Sequence, residues 1–153
     1  MNLDIKAARQ VILDHAAQSG LYDGVLGHEP ISAPRTGLTI GVWAHHIKPI
    51  AKASGLNVTS ARVLMFARIY TSTIQAPADD IDLLVGNACA DLIGRLTGDY
   101  NLGGTVSNID LLAAHGIAME SELGYLPQPN GEKSRIASIV IPLVFNDVWT
   151  QEA

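Results

Sequence analysis

The chain has 153 residues, a single cysteine at Cys89 and a formal net charge of −5. That length suits one domain, 1–153, able to bury roughly two-thirds of its unfolded surface and so needing no disulfide or metal to hold a core. One cysteine excludes a disulfide framework within the chain, leaving a reducing interior as the simpler setting. The acidic balance argues against a large basic face for gripping nucleic acid.

Hydrophobic residues make up 48% of the chain and charged residues 16%, against about 25% charged in an ordinary soluble domain. So few charges favour an oligomer, or a partner that covers apolar surface. The longest apolar stretch, Ile136 to Phe145, is broken by Ser138 and Pro142 and falls short of the ~20 residues of a spanning helix. The opening Met1-Asn2-Leu3-Asp4-Ile5-Lys6 has no signal-peptide character. No membrane association is expected.

In chain order, Ile5, Ala8, Ile12 and Ala16 fall at helical spacing, with Asp4 at the start and Ser19-Gly20 at the end. A glycine- and proline-rich loop follows, with room for one short strand between Val25 and Glu29. Alternating Leu38, Ile40, Val42 and Ala44 predict a strand to His46, with Pro49 and Ser54-Gly55 punctuating the next connection. Ser60 to Tyr70 reads as the central strand. One face carries Val63, Met65, Ala67 and Ile69, and the other Arg62, Leu64, Phe66, Arg68 and Tyr70.

Pro77 with Asp79, Asp80 and Asp82 marks the first turn of a second helix, whose stripe is Ile81, Leu84, Val85, Ala88, Leu92 and Leu96. Gly98-Asp99 closes it. Three further strands are expected, over Val106–Leu111, Ile117–Tyr125 and Arg135–Phe145, with a turn at Pro129-Asn130-Gly131. The order implies an α+β single domain: a mostly antiparallel β-sheet with two main helices packed on one face.

Catalytic chemistry finds little to work with. The five histidines form neither HExxH nor a paired ligand set within one helix, and there is no CxxC. His45 and His46 are adjacent on a strand and are expected to point to opposite faces. Gly103-Gly104 lacks the lysine and spacing of a phosphate loop, and Cys89 sits on a helical apolar stripe. No enzyme activity, cofactor or metal is expected. Trp43 is expected in the core, whereas Trp149, close to the C-terminal residue, suits core or interface alike.

A string of segments then becomes familiar. It runs His28-Glu29-Pro30, Gly37-Leu38-Thr39 to Trp43, Ser54-Gly55-Leu56, Arg68-Ile69-Tyr70 and Pro77-Ala78-Asp79-Asp80-Ile81-Asp82. It continues through Gly98-Asp99-Tyr100-Asn101-Leu102-Gly103-Gly104, Asn108-Ile109-Asp110-Leu111-Leu112, Gly124-Tyr125-Leu126 and the stretch from Ile141-Pro142 to Thr150-Gln151. In this order and spacing the chain resembles the tail terminator proteins of long-tailed, siphovirus-like phages and prophages. Ser107 departs from the pattern, standing where a basic residue would be expected.

The resemblance implies a viral structural protein that forms a homohexameric ring on the tail tube, ends its polymerisation and offers a docking surface to the head–tail connector. DNA would pass through the ring without sequence-specific binding. The subunit would be made in the host bacterial cytoplasm and reside in the virion, at the head-proximal end of the tail. Candidate contacts with neighbouring subunits or tube are Arg62, Arg68 and Tyr70 on the central strand and Asn146, Asp147, Trp149 and Gln151 at the end. For Arg62 and Arg68, burial within their own chain is an equal alternative. Two other readings stand beside this one: a head-completion or connector ring, and a small metal- or ligand-binding enzyme using His45 and His46.

Overall fold

A computed structural model describes residues 3–30, 37–50, 57–72, 77–127, 131 and 133–150. Helix α1, Ile5–Ser19, starts where the Asp4 carboxylate accepts the Ala7 amide at 3.0 Å and ends at Gly20, which takes the left-handed conformation (φ 70°). Its buried stripe is Ala8, Ile12 and Ala16. Strand β1, Gly24–Leu26, runs parallel to β2, Leu38–Ile50. Strand β3, Val58–Ser72, then returns antiparallel to β2.

Helix α2, Ala78–Gly98, follows, and a short 3-10 turn at Leu102–Gly104 leads to β4, Asn108–Ile109. Strands β5, Glu120–Pro127, and β6, Lys133–Thr150, complete the chain. The sheet order is β1-β2-β3-β6-β4, and β5 also pairs with β6. Because β3 lies along one side of β6, the short β4 and the longer β5 share its other side.

The architecture is the expected α+β domain, with two helices contacting one six-stranded, mostly antiparallel sheet. Strand alternation builds the core. Leu38, Ile40 and Val42, then Val63, Met65, Ala67 and Ile69, then Ala137, Ile139, Ile141 and Leu143 all reach one buried cluster. Val85, Ala88, Cys89, Leu92 and Leu96 of α2 meet them there.

Several expectations are corrected. Leu84 is 45% exposed and not a core residue, because the buried positions of α2 fall at 81, 85, 88, 89, 92 and 96. Asp82 does not serve the first turn; it pairs with Arg135 of β6 at 2.5 Å and ties the helix start to the sheet. Pro49 lies inside β2 rather than breaking it, which an edge strand tolerates. The strand expected over Val106–Leu111 shrinks to two residues, and that expected from Ile117 starts at Glu120. Pro129 and Asn130 lie outside the described residues.

Close approaches position two loops. A side chain at Gly41 would meet the His28 carbonyl at 3.0 Å and Pro30 at 3.1 Å, so glycine lets the 28–30 segment cross β2. Gly37 has φ 61°, and any Cβ there would collide with the Asp23 carboxylate. That carboxylate accepts the Leu38 amide at 2.9 Å.

The two helices are also joined at their ends. The His15 imidazole and Asp99 carboxylate lie 2.8 Å apart, and Asp99 accepts the Gly103 amide at 2.9 Å. The hydrogen bond from His15, and then that from Gly103, hold the Asp99 carboxyl below its ordinary range.

Two outcomes follow from this packing. Ile139→Ala, at a fully buried site, should cost about 2–5 kcal/mol in urea unfolding. Leu84→Ala should change stability by no more than about 0.5 kcal/mol. For Asp99, a folded-state pKa below the unfolded one means its stabilisation is present above the ordinary aspartate range. It is lost as pH falls from there through the depressed value. Unfolding measured across that acidic window should show this loss in the native protein and a flatter profile in Asp99→Asn.

Candidate functional surfaces

The face of the sheet turned away from the helices is built by the other alternation of β3. Its members Arg62, Leu64, Phe66, Arg68 and Tyr70 stand opposite Lys48, His46, Trp43, Gly41 and Thr39 of β2. On the β6 side they meet Val144, Pro142, Val140, Ser138 and Ile136. Beyond these, Glu120 and Glu122 of β5 stand opposite Val140 and Ser138. One row therefore reads Gly41, Arg68, Ser138, Glu122 across four strands, and the next Trp43, Phe66, Val140, Glu120.

An aromatic and cationic patch forms at its centre. Trp43 meets Phe66 edge-on at 6.1 Å, and the Arg68 guanidinium lies 5.5 Å from the Trp43 ring centre. His45 stacks on the other side of this group, 4.2 Å from Phe66. The expectation that His45 and His46 point to opposite faces is corrected. A bulge between Ala44 and His46 breaks the alternation, so His45 stacks on Phe66 while His46 falls opposite the neighbouring Leu64. Beside the patch an open groove of about 480 Å³ is bounded by Phe66, Arg68, Ser138, Val140, Glu120 and Glu122.

The central-strand candidates fare unequally. Tyr70 is 2% exposed, so it is a core residue and not available as a surface contact. Burial is the largest cause raising its phenol pKa above the ordinary value. Arg62 is also buried, and donates to the His115 carbonyl at 3.1 Å while its Nε has no partner. Within its own chain it clamps the loop after β4. Asp110 organises the same loop by accepting the Ala114 and His115 amides, each at 2.8 Å. Arg68 alone of the three stays partly open to solvent, held by Ser138 Oγ at 2.9 Å.

The end of β6 forms a second feature. Its register against β3 shifts between Thr59 and Ala61, so residues 146–148 bulge past Ser60. Asp147 adopts a positive φ of 53° there. Two serines catch the free amides: Ser107 Oγ accepts from Asn146 at 2.9 Å and Ser60 Oγ from Asp147 at 3.1 Å. Ser107 thus has a definite task in this chain. Trp149 is half-buried against the core and opposite Thr59. Asn146 and Asp147 remain partly exposed, and Gln151 lies outside the described residues.

Exposed apolar bulk is spread over separate elements: Leu83 and Leu84 on α2, Leu112 in the loop after β4, Tyr125 on β5 and Ile47 on β2. Leu112 is 90% exposed. Among the described residues no group of three or more His, Cys, Asp or Glu could hold a metal ion. No described helix is long and apolar enough to cross a membrane.

No protein-family model matches the chain, and no curated protein sequence matches it. Sequence reasoning missed the Trp43–Phe66–Arg68 patch and the acidic ladder of Glu120 and Glu122. The alternation of β3 and β5 carried part of that signal, but the cross-strand register that assembles it did not show.

The bulge yields a direct test. Ser60→Ala and Ser107→Ala each leave a backbone amide without its acceptor and should each cost about 1–3 kcal/mol in chemical denaturation. Thr105→Ala, outside the bulge, should leave the β6 end undisturbed when both are followed by amide hydrogen exchange.

Proposed function

We propose that this chain is a structural subunit of a phage-type tail, a terminator that forms a homohexameric ring on the tail tube. The ring ends tube polymerisation and presents its other side to the head–tail connector, with DNA passing through the hole. It works as a non-enzymatic virion component, at the head-proximal end of the tail.

The observation that carries this reading is the distribution of apolar surface. Large hydrophobic side chains are exposed on α2, on β2, on β5 and in the loop after β4, in a chain with only 16% charged residues. A small-molecule enzyme concentrates its apolar lining in one cleft. A ring subunit with neighbours on two sides and partners above and below needs apolar contact on several faces. The α+β fold and the ordered run of segments from His28 to the last residues agree with the terminator family. A net charge of −5 suits a channel that must release DNA rather than hold it.

A head-completion or connector ring shares these surface features and remains the second reading. The partners differ. Immobilised protein offered tail-tube protein and portal-side protein separately should retain the tube protein; retention of the portal-side protein alone would favour the second reading.

The end of β6 is not a detachable contact peptide, because Trp149 packs on the core and Asn146 and Asp147 are bonded into the bulge. Removing residues 146–153 would disturb folding as well as assembly. Point changes on the exposed apolar side chains are cleaner. Purified protein added to polymerising tube protein should shorten tubes to a fixed length by electron microscopy. Leu112→Asp should fold normally and, if this loop meets tube or connector, weaken capping at least tenfold. Tubes that elongate regardless of added native protein would defeat the terminator reading.

A further inference from the structure

Among the described residues the sheet ends in two uncovered edges. On one side β1 pairs with β2 only across Thr39–Gly41, so Val42–Lys48 has no outer strand among the described residues. Residues 44–49 of this edge are all exposed. On the other side, among the described residues, β5 pairs with β6 alone, and no described strand covers the outer edge of Glu120–Leu126. A proline closes each stretch, Pro49 in one and Pro127 in the other. Each offers a seven-residue edge whose outward N–H and C=O groups, on alternate residues, have no strand partner among the described residues, a template for a further strand.

Charged side chains often blunt such edges. Here the two edges carry opposite signs. Glu120 and Glu122 stand on the β5 edge, opposite Val140 and Ser138. Lys48 and His46 stand on the β2 edge, opposite Arg62 and Leu64. Alternation places all four on one face of the sheet, the face away from the helices. Two copies joined through the same edge would set Glu against Glu or Lys against Lys. Joined through unlike edges, they set Glu against Lys and His.

We propose that a second copy of this chain docks with its β5 edge along the β2 edge of the first, extending the sheet from subunit to subunit. Strand directions alternate from β2 through β3 and β6 to β5. Copies that keep the same orientation about a ring axis therefore meet antiparallel. An antiparallel register that sets Glu122 opposite His46 also sets Glu120 opposite Lys48. On the helix side it brings together the exposed Ile47 and Leu123. Because the contact uses two different edges, an open row of copies keeps one free edge at each end until it closes into a ring. The inference deepens the ring reading above and rests on it.

Sedimentation of the full chain over a wide concentration range, with folding checked by circular dichroism, tests it. Native protein should form a closed ring. Glu120→Lys with Glu122→Lys, and separately His46→Glu with Lys48→Glu, should each weaken self-association at least tenfold. An equimolar mixture of the two double variants should regain the ring mass, because each supplies the edge that the other now fits. The inference is overturned if either variant alone assembles like the native protein, if the mixture stays monomeric, or if native protein never self-associates. Tube capping measured in parallel separates the two ideas. Native protein that caps while the variants still form rings removes the edge contact alone. Rings abolished and restored as described, with tubes that grow on, remove the terminator role alone.

Discussion

The antiparallel pairing of β3 with β6 runs from Ser72 and Ser134 at one end to Val58 and Thr150 at the other, and the rest of the domain is arranged around it. Both strands alternate without a polar residue on the inward face over most of this length, so one ladder supplies the floor on which α2 lies. β2 extends the ladder on one side, and β4 and β5 divide the other side between them. A one-residue slip here would send Val63, Met65, Ala67 and Ile69 to the outer face and Arg62 and Arg68 to the helices. That penalty is what makes the register unique.

The outer face of the same ladder has a different character. Its ends are closed, by Tyr70 at one and by Arg62 with the loop after β4 at the other. Its middle is open and holds the Trp43, Phe66 and Arg68 patch beside the two glutamates of β5. An antiparallel sheet can be covered by helices on one face and only partly on the other.

The bulges set how the strands end. At Ala44 to His46 the bulge turns both histidines toward the outer side, and β2 then runs on exposed to Ile50. At Asn146 to Val148 the bulge is pinned by Ser60 and Ser107, one from β3 and one from the turn before β4. Each bulge re-aims a strand end that would otherwise continue flat.

Periodicity alone determined the two helices, the central strand and the division of its side chains between two faces. Burial repeats at 3.6 or 2 residues leave that mark whatever the neighbours are. The same period was too coarse for Leu84, which shares its turn with Val85 but faces solvent, because the helix rotates 100° between them. The acids at the start of α2 looked alike in one dimension, and the approach of Arg135 separates Asp82 from the other two. Tertiary structure decided that Tyr70 and Arg62 are interior, since nothing local announces which face of β3 a distant loop will cover. It also decided which strands lie at the edges among the described residues, and with what charge. Strand neighbours are chosen by long-range pairing, and residues 40 and 139 do not carry that information in their own surroundings.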